Sequence, residues 1–162
     1  MFREMRRFRQ ALSRAESEDI LRRGTSGVLA VSGDGGYPYA VPLSYVYDGG
    51  KILFHSACAG HKLDALRRCD KASFCVIDRD EVVPETFTTY FRSAIAFGRV
   101  RELTDGEEKR AALMRLAVRY APEAGEARRQ AEVEQSLGHV TLLALTVEHL
   151  SGKQAIELTP GR

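Results

Sequence analysis

The sequence predicts a mainly β fold of the α+β class, an antiparallel barrel of six strands with peripheral helices. Short apolar or alternating runs are separated by tight-turn sequences, which favours antiparallel pairing of neighbouring strands. The pattern lacks the long apolar helices that cover a parallel sheet, which favours a barrel over a doubly wound sheet. The chain has 162 residues, and we expect one domain over residues 1–162.

The predicted strands are recognised by their apolar runs and by the turns between them. They are expected at 27–31, 37–47, 51–55, 71–78, 88–102 and 140–150. Two connections, 32–36 and 48–50, are rich in Gly and Asp, which tolerate the positive φ of tight hairpin turns. The first three strands are therefore expected to form consecutive hairpins.

The strand at 37–47 has the most informative pattern. Its alternate residues from Tyr37 to Tyr47 are tyrosine, valine or leucine and share one face. A face this rich in aromatic side chains predicts a homodimer interface. The alternative is that the face lines the interior of the barrel. Pro38 and Pro42 cannot donate ladder hydrogen bonds, so they mark an edge, a bulge or an opening. An opened strand is a natural place for a flat ligand to lie against the backbone.

Three helices outside the barrel are predicted from capping and periodicity. Ser13 and Glu16 form a capping-box pattern, so a helix should begin there and end at Gly24. Residues 105–137 follow helical spacing in two polar stretches, which should decorate the barrel.

Composition and charge argue against several kinds of partner. The formal net charge of +2 is too small to predict nucleic acid as the main partner. No run approaches the ~20 apolar residues of a membrane span. Three scattered cysteines do not suit a disulfide framework, which favours a reducing compartment and hence the cytoplasm.

The two ends of the chain are expected to lie outside the barrel. Residues 1–14 hold five arginines against one glutamate, a pattern typical of a transit peptide or of a basic arm. We favour an arm over 1–12 that contacts the body of the protein. No apolar segment follows the arginines, so a secretory signal is not expected. Residues 156–162 are interpreted as a tail.

The segment 54–66 has the composition of an anion-binding site. A strand ends at His55, small residues follow, and a helix begins near His61. Small side chains expose backbone N–H groups, and a helix N-terminus adds unpaired donors with positive partial charge. Ser56 adds a hydroxyl group and Lys62 a positive charge. We interpret the segment as a phosphate site; the alternative is an ordinary strand–loop–helix connection.

The same segment holds three potential zinc ligands, His55, Cys58 and His61. A fourth ligand would have to be Cys69 or Cys75, and neither makes a familiar pair spacing with the first three. We therefore predict no metal site. A Cys58 nucleophile paired with a histidine is the other alternative, but no local signature supports it.

Two strings in the sequence resemble a known family. Residues 38–45, which read PYAVPLSY, and residues 54–66, which begin FHSA and end GHKLDAL, are similar to FMN-binding split-barrel proteins related to pyridoxamine phosphate oxidase. Within these proteins, the chain resembles the nitroimidazole-resistance branch. Further matches lie at 5–7, 27–30, 93–98 and 151–153. The resemblance implies a six-stranded antiparallel split β-barrel that forms a homodimer with FMN between the subunits.

The resemblance also implies binding residues at the positions that match the family's motifs. For the flavin phosphate these are His55, Ser56, Ala57, His61 and Lys62. For the flavin ring they are Val41, Pro42, Leu43, Ser44 and Tyr45. Ser93 is a further candidate for a phosphate or ribityl contact, with a plain strand serine as the alternative. His55 is also the candidate catalytic residue, since its imidazole could give a proton to a substrate or flavin; the alternative is that it binds phosphate or packs.

The implied activity is FMN-dependent reduction of small aromatic nitro compounds. The signature of a pyridoxal-phosphate site is not found, so oxidation of vitamin B6 is not expected. One alternative is a flavin or haem protein of the same fold with an electron-transfer or cofactor-handling role. Another is a non-enzymatic dimer that binds a phosphorylated ligand. The deazaflavin F420 is the rival to FMN as redox cofactor.

Overall fold

The structure is a computed structural model that describes residues 2–159, so Met1 of the predicted arm and 160–162 of the predicted tail lie outside it. Its strands are β1 (Ala11–Leu12), β2 (Ser26–Ser32), β3 (Pro38–Ser44), β4 (Val46–Asp48), β5 (Lys51–Ala57), β6 (Lys71–Val83), β7 (Thr88–Glu102) and β8 (Val140–Gln154). Its helices are α1 (Arg14–Arg23), α2 (His61–Arg68), α3 (Gly106–Tyr120) and α4 (Glu126–Ser136). The strand order is β3-β2-β6-β7-β8-β5-β4, and β1 pairs with β8 outside that path. All pairs are antiparallel, and β3 and β4 are the two edges of an open sheet.

Six long strands lie where the sequence predicts them, but the count of six is wrong. The two-residue β1 and the three-residue β4 are additional. β4 arises because the expected strand at 37–47 is interrupted at Tyr45, after which the chain pairs with β5. β6 and β8 are also longer than predicted, since β6 extends to Val83 and β8 extends to Gln154.

The helices and the arm also follow the sequence pattern. The Ser13 hydroxyl accepts the N–H of Glu16, and the Glu16 carboxylate accepts the N–H of Ser13, so the capping box is confirmed. α3 and α4 occupy the segment predicted to be helical. The arm lies against the sheet: β1 pairs with β8, and the Phe2 ring stacks on His149 with 4.5 Å between ring centroids.

The tyrosine-rich face at 37–47 is the interior of the barrel. Tyr39, Val41 and Leu43 pack against the core, and Tyr45 is fully buried within it. Tyr37 precedes the strand and is 78% exposed. The barrel interior, which is the alternative interpretation of this pattern, therefore accounts for most of this face. The homodimer stays a prediction.

Two apolar clusters cover the two sides of β5 and β8. The inner cluster fills the barrel and includes Phe54, Phe74 and buried side chains of α1 and α2. The outer cluster joins the sheet to α3 and α4 and includes Leu53, Leu113, Leu116, Val133 and Leu142. Because side chains alternate along a strand, Phe54 points into the barrel while Leu53 points to the helix pair.

Candidate functional site

β3 presents an unpaired backbone edge along the opening of the barrel. It pairs with β2, and no strand within residues 2–159 lies on its other side. At the start of this hairpin the N–H of Gly33 donates to the carbonyl of Tyr37 at 2.9 Å. Hydrogen-bonded and non-bonded pairs alternate in an antiparallel ladder, so the backbone groups of Val41 and Leu43 face β2.

The alternate set, Pro38, Ala40, Pro42 and Ser44, therefore faces the open edge. Both prolines belong to this set and remove no ladder hydrogen bond, so the prediction that they mark an edge is confirmed. The N–H groups of Ala40 and Ser44 and the carbonyls of Ala40 and Pro42 are left without strand partners. Such a row of donors and acceptors can bind a ligand edge-on, as strand edges do in peptide recognition.

Tyr45 ends this open edge and is held from two sides. Its hydroxyl donates to the carbonyl of Leu21 at 2.8 Å, and burial raises the pKa of its phenol. Its backbone N–H donates to the Tyr120 hydroxyl at 2.8 Å, and that hydroxyl also lies 2.7 Å from the Tyr45 carbonyl and bonds the carbonyl of Thr25. The polar groups of Tyr45 are thus occupied within the chain, and its role is to fix the end of β3.

α2 begins with backbone donors that have no acceptor within residues 2–159. Gly60 takes the cap position with φ of 128°, and no side chain bonds the cap. The N–H groups of Leu63 and Asp64 both return to the Gly60 carbonyl. Those of His61 and Lys62 bond to no residue within 2–159. Two unpaired donors at the positive end of a helix dipole are suited to bind an anion.

Lys62 lies beside these donors and has no acidic partner. It is partly buried, and burial lowers the pKa of its ammonium group. Neither an ion pair nor a hydrogen bond connects its side chain to another described residue. By contrast, Arg67 on the same helix bonds Glu102 through two nitrogens, at 2.8 and 3.2 Å. A partly desolvated cation without a counter-ion favours an anionic ligand at this point.

His61 has a different task from Lys62. Its imidazole stacks on Tyr39 with 4.2 Å between ring centroids, and its Nε2 lies 3.4 Å from a carboxylate oxygen of Asp34. Asp34 also accepts from Arg68 at 2.6 Å. These contacts tie both ends of α2 to the β2–β3 hairpin, so the His61 ring positions the helix beside the open edge and leaves its backbone N–H unpaired within residues 2–159.

The end of β5 separates the remaining predicted phosphate residues. Ser56 is buried on the inner side of the strand, while His55 is exposed on the side of α3 and α4. His55 and Ser44 line a cavity of about 290 Å³ beneath the helix pair, together with residues of α3 and α4 that include Tyr120 and Glu132. Ala57 is exposed at the last position of the strand. His55 thus lies at the cavity beneath α3 and α4, whereas Ser56 lies inside the barrel.

Ser93 lies apart from the other predicted residues within one chain. It pairs with Ile77 and Lys153 in the middle of the sheet, and its neighbour Ala94 is buried in the barrel core. Ser93 therefore points to the other side, which we term the outer face. The half-buried residues of the outer face are Val28, Ala30, Ser73, Cys75, Ser93, Ile95 and Phe97.

The structure does not gather the potential zinc ligands. Within residues 2–159 there is no group of three or more His, Cys, Asp or Glu side chains that could hold a metal ion, so His55, Cys58 and His61 do not converge. In the same part of the chain, no helix has the length and apolar character needed to cross a membrane.

Sequence reasoning missed Tyr120, Asp34 and the cavity beneath α3 and α4. Tyr120 reaches a strand 75 residues earlier in the chain, so no local pattern around it indicates the contact. Asp34 was recognised only as a turn residue, although a carboxylate next to a hairpin glycine is also free to bind a neighbouring helix. The cavity depends on how two helices pack, which their periodicity does not specify.

The class of protein that these elements define is an open antiparallel β-barrel with an unpaired strand edge beside the start of a short helix. The sequence model of the pyridoxamine 5′-phosphate oxidase family matches residues 13–154, which is most of the chain. The protein therefore belongs to that family. None of the curated proteins compared with the chain matches it.

Several solved structures share the fold. A candidate 5-nitroimidazole antibiotic resistance protein from Bacteroides thetaiotaomicron is 22% identical with a TM-score of 0.75, over 89% of this chain and 86% of that one. An FAD- and haem-binding protein from Mycobacterium smegmatis is 25% identical with a TM-score of 0.75, over 91% and 73%. An FAD-binding protein from Mesorhizobium loti is 24% identical with a TM-score of 0.65, over 90% and 97%. Flavin-binding proteins are thus among the structural neighbours of this chain.

Proposed function

We propose that this chain is an FMN-binding flavoprotein that reduces small aromatic nitro compounds. The observation that carries the proposal is Lys62, a partly buried ammonium group without a partner in residues 2–159, next to two unpaired N–H groups. A phosphate dianion would accept from all three and offset the desolvation of the lysine. The open edge of β3 lies on the other side of His61 and can receive the ring of the same ligand.

Each part of the site then has a separate task. Lys62 and the first N–H groups of α2 would bind the phosphate, with Ser56 and Ala57 forming the end of the strand that leads to it. The Ser44 N–H and the Pro42 carbonyl would bind the pyrimidine part of the ring, whose N–H and carbonyl groups are complementary to them. Val41 and Leu43 keep the edge in place by packing into the barrel. When bound, the flavin supplies electron transfer, and the protein supplies orientation and shape.

His55 is the proposed proton donor. Two-electron reduction of a nitro group to a nitroso group takes up two protons and releases one water, with the electrons delivered by an external reductant. His55 and Ser44 both line this cavity, and an imidazole N–H is a common general acid in catalysis. A substrate in the cavity would therefore have a proton source beside it.

The cofactor assignment predicts that the purified protein binds FMN. Added FMN should lose fluorescence and should raise the midpoint of thermal unfolding in proportion to the logarithm of its concentration, as a ligand of the native state must. Haem and F420 titrated in the same way are the comparison, and the absorption spectrum of any chromophore released from the protein identifies it. Saturating FMN that changes neither signal would reject the proposal.

The outer face predicts a homodimer. Its half-buried apolar residues form a continuous surface on β2, β6 and β7, and Ile77 beside it is 68% exposed. A two-fold dimer through this surface would cover it and would bring Ser93 of one subunit towards its partner. Light scattering should therefore give twice the 18.0 kDa mass of the chain. Ile95→Glu, which places a charge in the surface, should shift the mass to that of one chain, whereas the exposed Ala111→Glu should not.

A further inference from the structure

The far ends of β6 and β7 project from the sheet as a two-stranded ribbon, residues 79–92. Its two strands pair with each other along their length, whereas β2 reaches β6 only at residues 73–75 and β8 ends opposite Arg92. Within residues 2–159, most of the ribbon therefore has no further strand beside it. A two-stranded hairpin with nothing packed on it is only marginally stable in water, so the ribbon is a candidate contact surface.

The ribbon continues the outer face and exposes apolar side chains on that side. Ser93 lies on the outer face, so alternation along β7 places Phe91 and Thr89 there too. Val82 pairs with Thr89 and is 69% exposed, and Phe87 at the turn is 99% exposed. Phe87 has a φ of 51°, a left-handed conformation that glycine or asparagine adopts more readily, so the turn itself does not require an aromatic ring.

The ribbon also carries carboxylates without a partner. Asp80, which pairs with Phe91 and shares its face, and Glu85 in the turn are both exposed. Within residues 2–159, neither carboxylate makes an ion pair or a hydrogen bond. By contrast, Glu81 on the opposite side of the ribbon accepts a hydrogen bond from Arg79. The ribbon therefore presents apolar and acidic groups together.

The arm has the complementary charge and is also unpaired. Arg6, Arg7 and Arg9 are exposed, and their side chains make no ion pair or hydrogen bond in the part of the chain that the structure describes. They border a cavity of about 370 Å³, whose lining is Arg6, Arg7, Phe8, Arg9, Gln10 and Ile156. Guanidinium groups bind carboxylates and stack on aromatic rings, so this surface suits a partner that offers both.

The sheet topology brings these two surfaces together in a two-fold dimer. β6 and β8 flank β7, so a two-fold axis that runs along β7 between facing outer faces lays β6 of each subunit over β8 of its partner. The arm borders β8, because β1 pairs with that strand. The levels also match: Ile156 of the arm cavity follows Ala155, whose N–H donates to the carbonyl of Phe91 at 2.9 Å, and Phe91 is the cross-strand partner of Asp80.

We propose that the ribbon of each subunit docks on the arm of its partner, with Asp80 and Glu85 beside the arginines and Phe87 against their aliphatic stems. The occupant of both surfaces is thus a second copy of this chain. The inference rests on the proposed homodimer and is independent of the flavin and the substrate. It gives the basic arm a task, and it fixes the direction of the two-fold axis, which the outer face alone leaves open.

Charge reversal followed by mixing tests the contact. The ribbon variant carries Asp80→Lys and Glu85→Lys, and the arm variant carries Arg6→Glu and Arg7→Glu. Each variant alone has like charges at both contacts of its dimer, so its dimer dissociation constant should rise about tenfold or more in sedimentation at low salt. In an equimolar mixture, both contacts of the mixed dimer join opposite charges, and the dissociation constant should return to that of the parent.

The matched control carries Asp19→Lys and Asp64→Lys. These exposed residues lie on α1 and α2, whose buried side chains pack inside the barrel, away from the outer face. The control should dimerise like the parent. Phe87→Gly tests the apolar part: glycine adopts the left-handed conformation without strain, yet loss of the ring should raise the dimer dissociation constant about fivefold or more.

A ribbon or arm variant that dimerises like the parent would overturn the inference, and this is the result expected if the arm binds another polyanion, such as nucleic acid. Variants that stay weakened when mixed would overturn it as well, because the charges then act within one chain. If the parent is a monomer, the inference and the homodimer fall together, while the FMN titration still decides the flavin proposal. If mixing restores the dimer but FMN does not bind, the contact stands and the flavin proposal falls.

Discussion

FMN should bind about ten to a hundred times more weakly after Lys62→Met, while riboflavin should bind the variant and the parent equally. The substitution keeps the length of the side chain and removes the charge. Losing a hydrogen bond to a charged group costs on the order of 1.5–3 kcal/mol, which corresponds to this range of affinity. Riboflavin lacks the phosphate, so it has no interaction with Lys62 to lose. Fluorescence titration of both flavins against both proteins gives the four dissociation constants.

Lys71→Met is the matched control for this experiment. Lys71 is an exposed lysine at the start of β6, and its substitution changes the net charge by the same amount. It should leave both affinities unchanged. If Lys62→Met also leaves FMN affinity unchanged, Lys62 is a solvated helix residue and the phosphate does not bind at the start of α2. If the affinities for FMN and riboflavin fall by the same factor, the substitution has disturbed the site of the flavin ring instead.

The affinity for FMN should also depend on pH through Lys62. Burial lowers the pKa of this ammonium group in the flavin-free protein, and a bound phosphate favours the charged form. FMN binding should therefore weaken as pH rises through the lowered pKa, starting below the range in which an ordinary lysine loses its proton. In the flavin-free protein, the Lys62 ammonium group binds its proton more tightly in the unfolded chain than in the folded chain. The contribution of Lys62 to the free energy of unfolding therefore rises as pH rises from the lowered pKa to the ordinary pKa of lysine. Lys62→Met should remove both effects.

Local chemistry explains which parts of the fold could be predicted. The capping box at Ser13 and Glu16 and the glycine-rich turns involve neighbours in sequence, so their residue types specify the structure directly. The prolines of β3 were informative for the same reason, since a residue without an N–H group can occupy only non-bonded positions of a ladder. The start of α2 was predictable because small residues, a helix and Lys62 are consecutive.

Other parts depend on which elements meet in space. Alternation along β5 predicts that His55 and Ser56 face opposite ways, but only the packing of α3 and α4 shows that the His55 side contains a cavity. Likewise, the alternating tyrosines specified one buried face without indicating whether a partner subunit or the barrel covers it. Ser93 matches a family motif by sequence, yet the sheet places it on the outer face, away from the open edge and the start of α2.

Tyr120→Phe should destabilise the protein by about 1–3 kcal/mol, because it leaves a buried N–H group without an acceptor. The Tyr120 hydroxyl accepts the N–H of fully buried Tyr45 at 2.8 Å, and its one proton lies within hydrogen-bond reach of the carbonyls of Tyr45 and Thr25. Phenylalanine keeps the ring and its packing, so the change isolates the hydroxyl group. Urea unfolding of the flavin-free protein measures the difference in free energy, with Tyr37→Phe as the control, since the Tyr37 side chain is exposed.

The same variant separates the support of the ring strand from the binding of the phosphate. Tyr45 follows Ser44 directly, so losing its anchor should loosen the end of the open edge that would hold the flavin ring. The affinities for riboflavin and FMN should then fall by the same factor, whereas Lys62→Met should lower the affinity for FMN alone. Tyr45→Phe removes only the bond to the Leu21 carbonyl and keeps the backbone bonds to Tyr120, so it should lower stability without changing either affinity. If Tyr120→Phe lowers stability but leaves riboflavin affinity unchanged, the flavin ring does not depend on this end of β3.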